Sequence, residues 1–174
     1  MKNKQNLIIV ICFIFITFFI LLLGLKKDNS YVPQINYLKI DDKLTLQSLY
    51  SGKDLFLNDL FIKDNFTLIN IWASWCLPCK DEHPYLINLS KRYNLNIIGI
   101  NYKDDFNNAK NFLLELGNPY REVLIDSDGV KSIEFGAIGV PETYLVNKEK
   151  KIIKKFIGPL NQNNFNEILN IVKK

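Results

Sequence analysis

The longest apolar stretch lies near the start of the chain. Leu7 to Leu25 reads LIIVICFIFITFFILLLGL, nineteen positions without a charge and with Thr17 as the polar interruption. A helix rising about 1.5 Å per residue would carry that run across the roughly 30 Å of a bilayer core. The run is longer than the apolar region of a cleaved signal peptide, and LGLKKDNS offers no Ala-x-Ala-like site. It predicts an uncleaved signal-anchor over residues 1–27. Between 28 and 65 the pattern changes to short alternations of apolar and polar residues broken by Asp, Asn and Gly, which predicts an approach segment of short strands and turns. From 66 onward the elements lengthen. FTLINIWA (66–73) and LNIIGIN (95–101) predict buried strands, with a helix from about Pro78 to Tyr93 between them. DFNNAKNFLLELG (105–117) predicts a helix stopped by Gly117 and Pro119. REVLID predicts a strand and GVKSIEFG a short helix; ETYLVN and KIIKKFIG flank KEK as a hairpin, and QNNFNEILNIVKK closes as a helix. Strand–helix–strand followed by a hairpin and a helix gives an α/β fold, a mixed sheet covered by helices on both faces, over residues 66–174.

At 174 residues and 48% hydrophobic, the chain holds enough material for one core and an appendage. The net charge of +4 changes meaning once Lys2, Lys4, Lys26 and Lys27 are set aside as flanks of the apolar run. The remainder carries 18 basic against 18 acidic residues, so no basic surface argues for nucleic acid. Those four lysines nearly balance across the span. The amino terminus tips the count towards N-in, which puts residues 28–174 outside the cytoplasm.

Against this background, WASWCLPCKDEH sets Cys76 and Cys79 two residues apart, in a chain with one further cysteine, Cys12, inside the apolar run. A zinc site needs about four ligands, which one such pair and the lone His83 do not supply in the usual way. A structural bridge closing so short a loop restrains little chain. A redox dithiol is favoured where the pair falls at a strand-to-helix junction. Cys76 at the helix N-terminus has unpaired N–H groups and the macrodipole to favour a thiolate, making it the nucleophile. Cys79, one turn on, is the more buried resolving thiol. Pro84 falls inside the helix, and His83 is expected on its surface. Cys12 reads as an ordinary small apolar residue of the span.

The block LINIWASWCLPCK, with Trp75 before the first cysteine and Pro84 five residues after the second, resembles the thioredoxin superfamily. GVPETYLVN is similar to the superfamily's cis-proline loop, with Pro141 at the proline position. Together with GINYKDD and ELGNPY, these blocks resemble the DsbE/CcmG family of membrane-tethered thiol:disulfide interchange proteins over about residues 66–157. The resemblance implies a thioredoxin-like fold in the periplasm, anchored to a bacterial inner membrane and needing no cofactor or metal. It implies a Cys76–Cys79 dithiol that reduces the C-x-x-C-H disulfide of apocytochrome c. Electrons would come from a membrane thiol transporter of the DsbD or CcdA kind, alongside other cytochrome c maturation proteins. Where thioredoxins carry a buried Asp, this chain has Asn70, and the resemblance shifts the acidic role of tuning thiol pKa values to Glu82 and Glu142. It also gives Val140 and Pro141 the backbone that receives an extended substrate and Trp75 the apolar lip, while Trp72 reads as a core aromatic. Two other readings stay open: exchange with other extracytoplasmic clients, as reductase or general oxidant, and a tethered adaptor whose disulfide is structural.

Overall fold

The computed structural model describes residues 2–25, 40–41, 43–93 and 95–173. They form two compact units, divided near residue 34. The first is one helix, α1 (Lys2–Leu25), long and apolar enough by length and composition to cross a membrane, with Cys12 exposed on it as a free thiol. Lys26, Lys27 and the opening of the approach segment, 28–39, lie outside the described residues.

The second unit is one seven-stranded sheet. Its strands are β1 (Thr45–Ser48), β2 (Asp54–Phe56), β3 (Thr67–Trp72), β4 (Asn96–Tyr102), β5 (Glu122–Asp126), β6 (Glu142–Val146) and β7 (Ile152–Ile157). They stand in the order β2-β1-β5-β4-β3-β6-β7. The parallel set β3, β4 and β5 forms the middle, β6 and β7 add an antiparallel hairpin on one side, and β1 runs antiparallel to β5 on the other. The expected division between an approach segment ending at 65 and a domain starting at 66 is therefore not a structural boundary. Thr45–Phe56 belongs to the sheet because the edge of β5 offers unpaired backbone groups and Leu46 supplies an apolar side chain to the core beneath.

β3 is buried at all six positions, as the continuous TLINIW run requires of a strand covered on both faces. Side chains alternate between two apolar clusters. Leu68 and Trp72 meet one with Leu86 and Leu89 of α2 (Leu77–Tyr93), Phe112 of α3 (Phe106–Leu116) and Ile168 of α5 (Gln162–Val172). Ile69 and Ile71 meet the other, with Tyr144, Leu57 and Phe135, which follows α4 (Val130–Glu134). Asp105 caps α3 by accepting from the N–H groups of Asn107 and Asn108, and Asn161 with Asn164 forms a capping box that starts α5.

Gly99 of β4 is small because two rings lie against it: a Cβ there would come within 2.9 Å of both Trp72 Nε1 and Tyr120 Cγ. Trp72 and Tyr120 stack with their centroids 5.5 Å apart. Gly99→Ala is expected to lower stability by about 1–3 kcal/mol through overpacking, read as a lower urea midpoint with an unchanged slope.

Candidate active site

α2 begins where β3 runs out of the sheet, so residues 73–76 cross its carboxyl edge. Ser74 is fixed there by Asp104, whose carboxylate accepts from the Ser74 N–H and, at 2.7 Å, from its hydroxyl. The same carboxylate accepts from Asn101 Nδ2 and the Asp105 N–H, both at 2.8 Å. Trp75 follows, 58% exposed, its indole N–H donating to the Lys103 carbonyl at 3.0 Å. The loop after β4 thus holds the turn that precedes the cysteines.

Cys76 and Cys79 form a disulfide. Cys76 immediately precedes the first helical residue, and the Cys79 backbone N–H points at its Sγ, 3.2 Å away. A donor aimed at sulfur from the first turn of a helix stabilises negative charge there. Both cysteines are nearly buried. Cys76 lines an open depression of about 520 Å³ shared with Trp75, Leu77, Phe112 and Leu116.

Glu82 lies one turn beyond Cys79 in the buried stripe Cys79, Glu82, His83, Leu86, Leu89. It is wholly buried, with Oε1 accepting from Asn70 Nδ2 at 2.8 Å and Oε2 from the Leu160 N–H at 2.7 Å. Burial pushes the carboxyl up to about 7, more than the two hydrogen bonds pull it down. Asn70 is itself saturated: its Nδ2 also donates to Thr143 Oγ1, and its Oδ1 accepts from Tyr120 OH. Where the superfamily's Asp would ionise, this chain has an amide that orients a carboxyl on the next element.

His83 overturns the expectation of a helix-surface residue. It is 2% exposed, with Nε2 2.8 Å from the Gly117 carbonyl and its ring edge-on to Phe112. Burial lowers its pKa and keeps it neutral, and as Nε2–H it donates to that carbonyl, tying α2 to the end of α3.

Glu142 is also buried, but at a different place from Glu82. Thr143 and Leu145 of β6 turn towards the face of α2, while Glu142 and Tyr144 turn to the other. Glu142 Oε1 accepts from the Ile138 and Gly139 N–H groups at 2.9 and 3.2 Å, and Oε2 accepts from Tyr144 OH at 2.7 Å and pairs with Lys155 Nζ at 2.8 Å. Its partners belong to the loop before β6 and to the hairpin, and none is a sulfur. Alternation along the strand separates it from Cys79, so its contacts brace the loop and do not reach the thiols. The Val140–Pro141 bond is cis, and Val140 packs against the cluster containing Cys76 and Cys79.

The sequence reading did not single out Tyr120, Thr143, Leu160, Asp104 or Lys155. Asp104, Tyr120 and Thr143 lie within the blocks GINYKDD, ELGNPY and GVPETYLVN, and Lys155 within KIIKKFIG, but nothing in those stretches gives them a role; like Leu160, they meet the site only through tertiary contacts.

A family model described as Redoxin matches residues 27–172. A thiol:disulfide interchange protein DsbE from Vibrio cholerae is 37% identical over a segment covering 74% of this chain and 77% of that protein. The chain belongs to the Redoxin family, among the DsbE-type thiol:disulfide interchange proteins. CycY from Rhizobium leguminosarum bv. viciae, also a thiol:disulfide interchange protein, is 52% identical over 59% of this chain, a match spanning only 55% of CycY. A crystal structure of a secreted Mycobacterium tuberculosis disulfide oxidoreductase homologous to Escherichia coli DsbE superposes with a TM-score of 0.63 at 19% identity, over 75% of this chain and 94% of that one. It shares the thioredoxin-like fold of this Redoxin domain.

The raised Glu82 carboxyl has a consequence for stability. In the oxidised protein Glu82 holds its proton up to about pH 7, whereas the unfolded chain loses it near 4.5. Between those values the native state binds more protons, so stability falls as pH rises. The shift corresponds to a total of about 3 kcal/mol. Denaturation of the oxidised protein from pH 4 to 8 is expected to show this decline. Glu82→Gln is expected to remove it; an unchanged slope in the variant would assign the decline to other groups.

Proposed function

We propose that this protein is a membrane-tethered periplasmic thiol:disulfide oxidoreductase, working as a dithiol reductase of the C-x-x-C-H disulfide of apocytochrome c during cytochrome c maturation. The observation that carries the reading is the Cys76–Cys79 disulfide at the start of α2, with Cys76 opening on a surface depression and a buried carboxyl near pH 7 one turn behind Cys79. Family membership supports the exchange chemistry, and α1 supplies a helix of the right length for the anchor.

In this reading the Cys76 thiolate attacks one substrate sulfur, forming a mixed disulfide, and the other substrate sulfur leaves as a thiolate and takes up a proton. Cys79 passes its proton to the Glu82 carboxylate and attacks Cys76 Sγ. The Cys76–Cys79 bond forms, the second substrate thiolate departs, and two electrons have passed to the substrate. A membrane thiol transporter of the DsbD or CcdA kind returns two electrons and restores the dithiol. Trp75 and Leu77, both exposed beside Cys76, give an apolar border to the approaching peptide. Val140 and Pro141 offer backbone to it as an added strand would. Glu82 serves as the proton acceptor of the resolving step, and Glu142 acts at a remove by fixing that loop.

Cys79→Ala in the native cell removes the resolving thiol and leaves Cys76 able to attack. Mixed disulfides with apocytochromes joined through C-x-x-C-H are expected. Capture of many unrelated secreted proteins, with no cytochrome among them, would sink the client assignment and favour a general exchange protein. In vitro, Cys76→Ser is expected to abolish reduction of a disulfide substrate; equal rates would favour an adaptor. Glu82→Gln is expected to slow resolution by about a hundredfold while leaving the first attack largely intact, measured by rapid-quench separation of the two steps.

A further inference from the structure

The ends of the loop that leads into β6 are held by one buried ion pair. Lys155 stands opposite Tyr144 in the β6–β7 ladder, so its side chain lies on the face that carries Glu142 and Tyr144. Its side chain is 4% exposed and that of Glu142 1%, an uncommon degree of burial for both partners of an ion pair. Neighbouring Lys154 behaves differently: it pairs with Glu167 across the surface, both side chains 42% exposed. Lys155 Nζ also donates to the Gly136 carbonyl at 2.8 Å and lies 5.2 Å from the centroid of the Tyr144 ring. From the other partner, Glu142 Oε1 accepts the N–H groups of Ile138 and Gly139.

The ammonium thus takes the carbonyl at the start of the loop, and the carboxylate takes two amides in its middle. Ile138 is 68% exposed, so without this carboxylate its amide would face solvent. The loop emerges at the same end of the sheet as the cysteines. β6 runs antiparallel to β3 with Glu142 opposite Ile71, which brings Pro141 and Val140 alongside Trp72 and the start of the active-site turn.

We propose that Lys155 is a positioning residue for substrate capture: with Glu142 it holds residues 136–141 in the one arrangement that presents the Val140–Pro141 backbone to a peptide entering beside Cys76. This rests on the reading of that loop as a docking ledge. An unpaired carboxylate on the same face would have to find water or another donor, and its two loop amides would be released with it. Lys155 touches neither sulfur nor substrate, so its loss weakens binding and leaves the exchange chemistry of bound substrate in place.

The test uses the full chain in detergent, with a synthetic oxidised Cys-x-x-Cys-His peptide as substrate and dithiothreitol as the recharging reductant. Lys155→Gln is expected to raise KM by about tenfold with kcat changed by less than about threefold. Lys155→Arg, which keeps the charge and donors, should restore KM, and Lys154→Gln should match the parent. Amide exchange supplies a readout that needs no substrate. The Ile138 and Gly139 amides should be protected in the parent and in Lys155→Arg, and should exchange at least about tenfold faster in Lys155→Gln. Rapid exchange of both amides in the parent would overturn the clamp, even if Lys155→Gln cannot be folded. Faster exchange with KM unchanged would overturn its part in substrate capture. Neither result touches the Cys79→Ala trap, which tests the exchange reaction independently of Lys155.

Discussion

Asn70 sits in the middle of β3, buried from water, and the face of the sheet beneath α2 converges on satisfying its amide. Its two ends are matched by three groups from separate parts of the chain: the Glu82 carboxylate of α2, the Thr143 hydroxyl of β6 and the Tyr120 hydroxyl ahead of β5. A buried polar network of this kind is costly when half-made and rigid when complete. Completing it fixes the rotation of α2 about its axis, and that rotation decides which side chain lies beneath the disulfide. The stacking of Tyr120 on Trp72, and the missing side chain at Gly99 that admits both rings, serve the same end.

The two buried glutamates divide the labour by strand parity. Glu82 lies on the α2 face, where burial raises its proton affinity more than its two hydrogen-bond donors lower it. Glu142 lies on the opposite face, where its ion pair with Lys155 and its hydrogen bond from Tyr144 make it a fastener for backbone. The same residue type, on opposite faces of one sheet, is the proton acceptor of the proposed mechanism in one place and a rivet in the other. Asp104 supplies a third carboxylate and a third use, gathering Ser74, Asn101 and Asp105 so that the turn into α2 has a fixed origin.

Much of this was legible in the residues. The helices and central strands follow from period and capping chemistry, and the C-x-x-C at a strand-to-helix junction marks the reacting pair. The burial of His83 was legible too, had the stripe from Cys79 to Leu89 been weighed above the general preference of histidine for surfaces. Short strands were expected between 28 and 65 without bounds, but nothing in Thr45–Phe56 announces that β5 will accept them, because sheet membership depends on an edge far along the chain. The roles of Tyr120, Thr143 and Leu160 were hidden for the same reason. Each is an ordinary residue whose importance comes from Asn70 or Glu82 arriving beside it. Lys155 was hidden by its setting in KIIKKFIG, where strand alternation sends two adjacent lysines to opposite environments.

The bond between Glu82 and the Leu160 N–H ties the centre of the chain to the turn that launches its last helix. A nascent protein released before that turn is made would already contain Cys76 and Cys79, both tryptophans and the loop before β6. It would lack one of the two donors that hold the carboxyl in place. In the proposed mechanism the proton acceptor is therefore complete only once that turn is made, so that a partly folded chain arriving among other proteins' thiols is a poor exchange partner until its own architecture is closed.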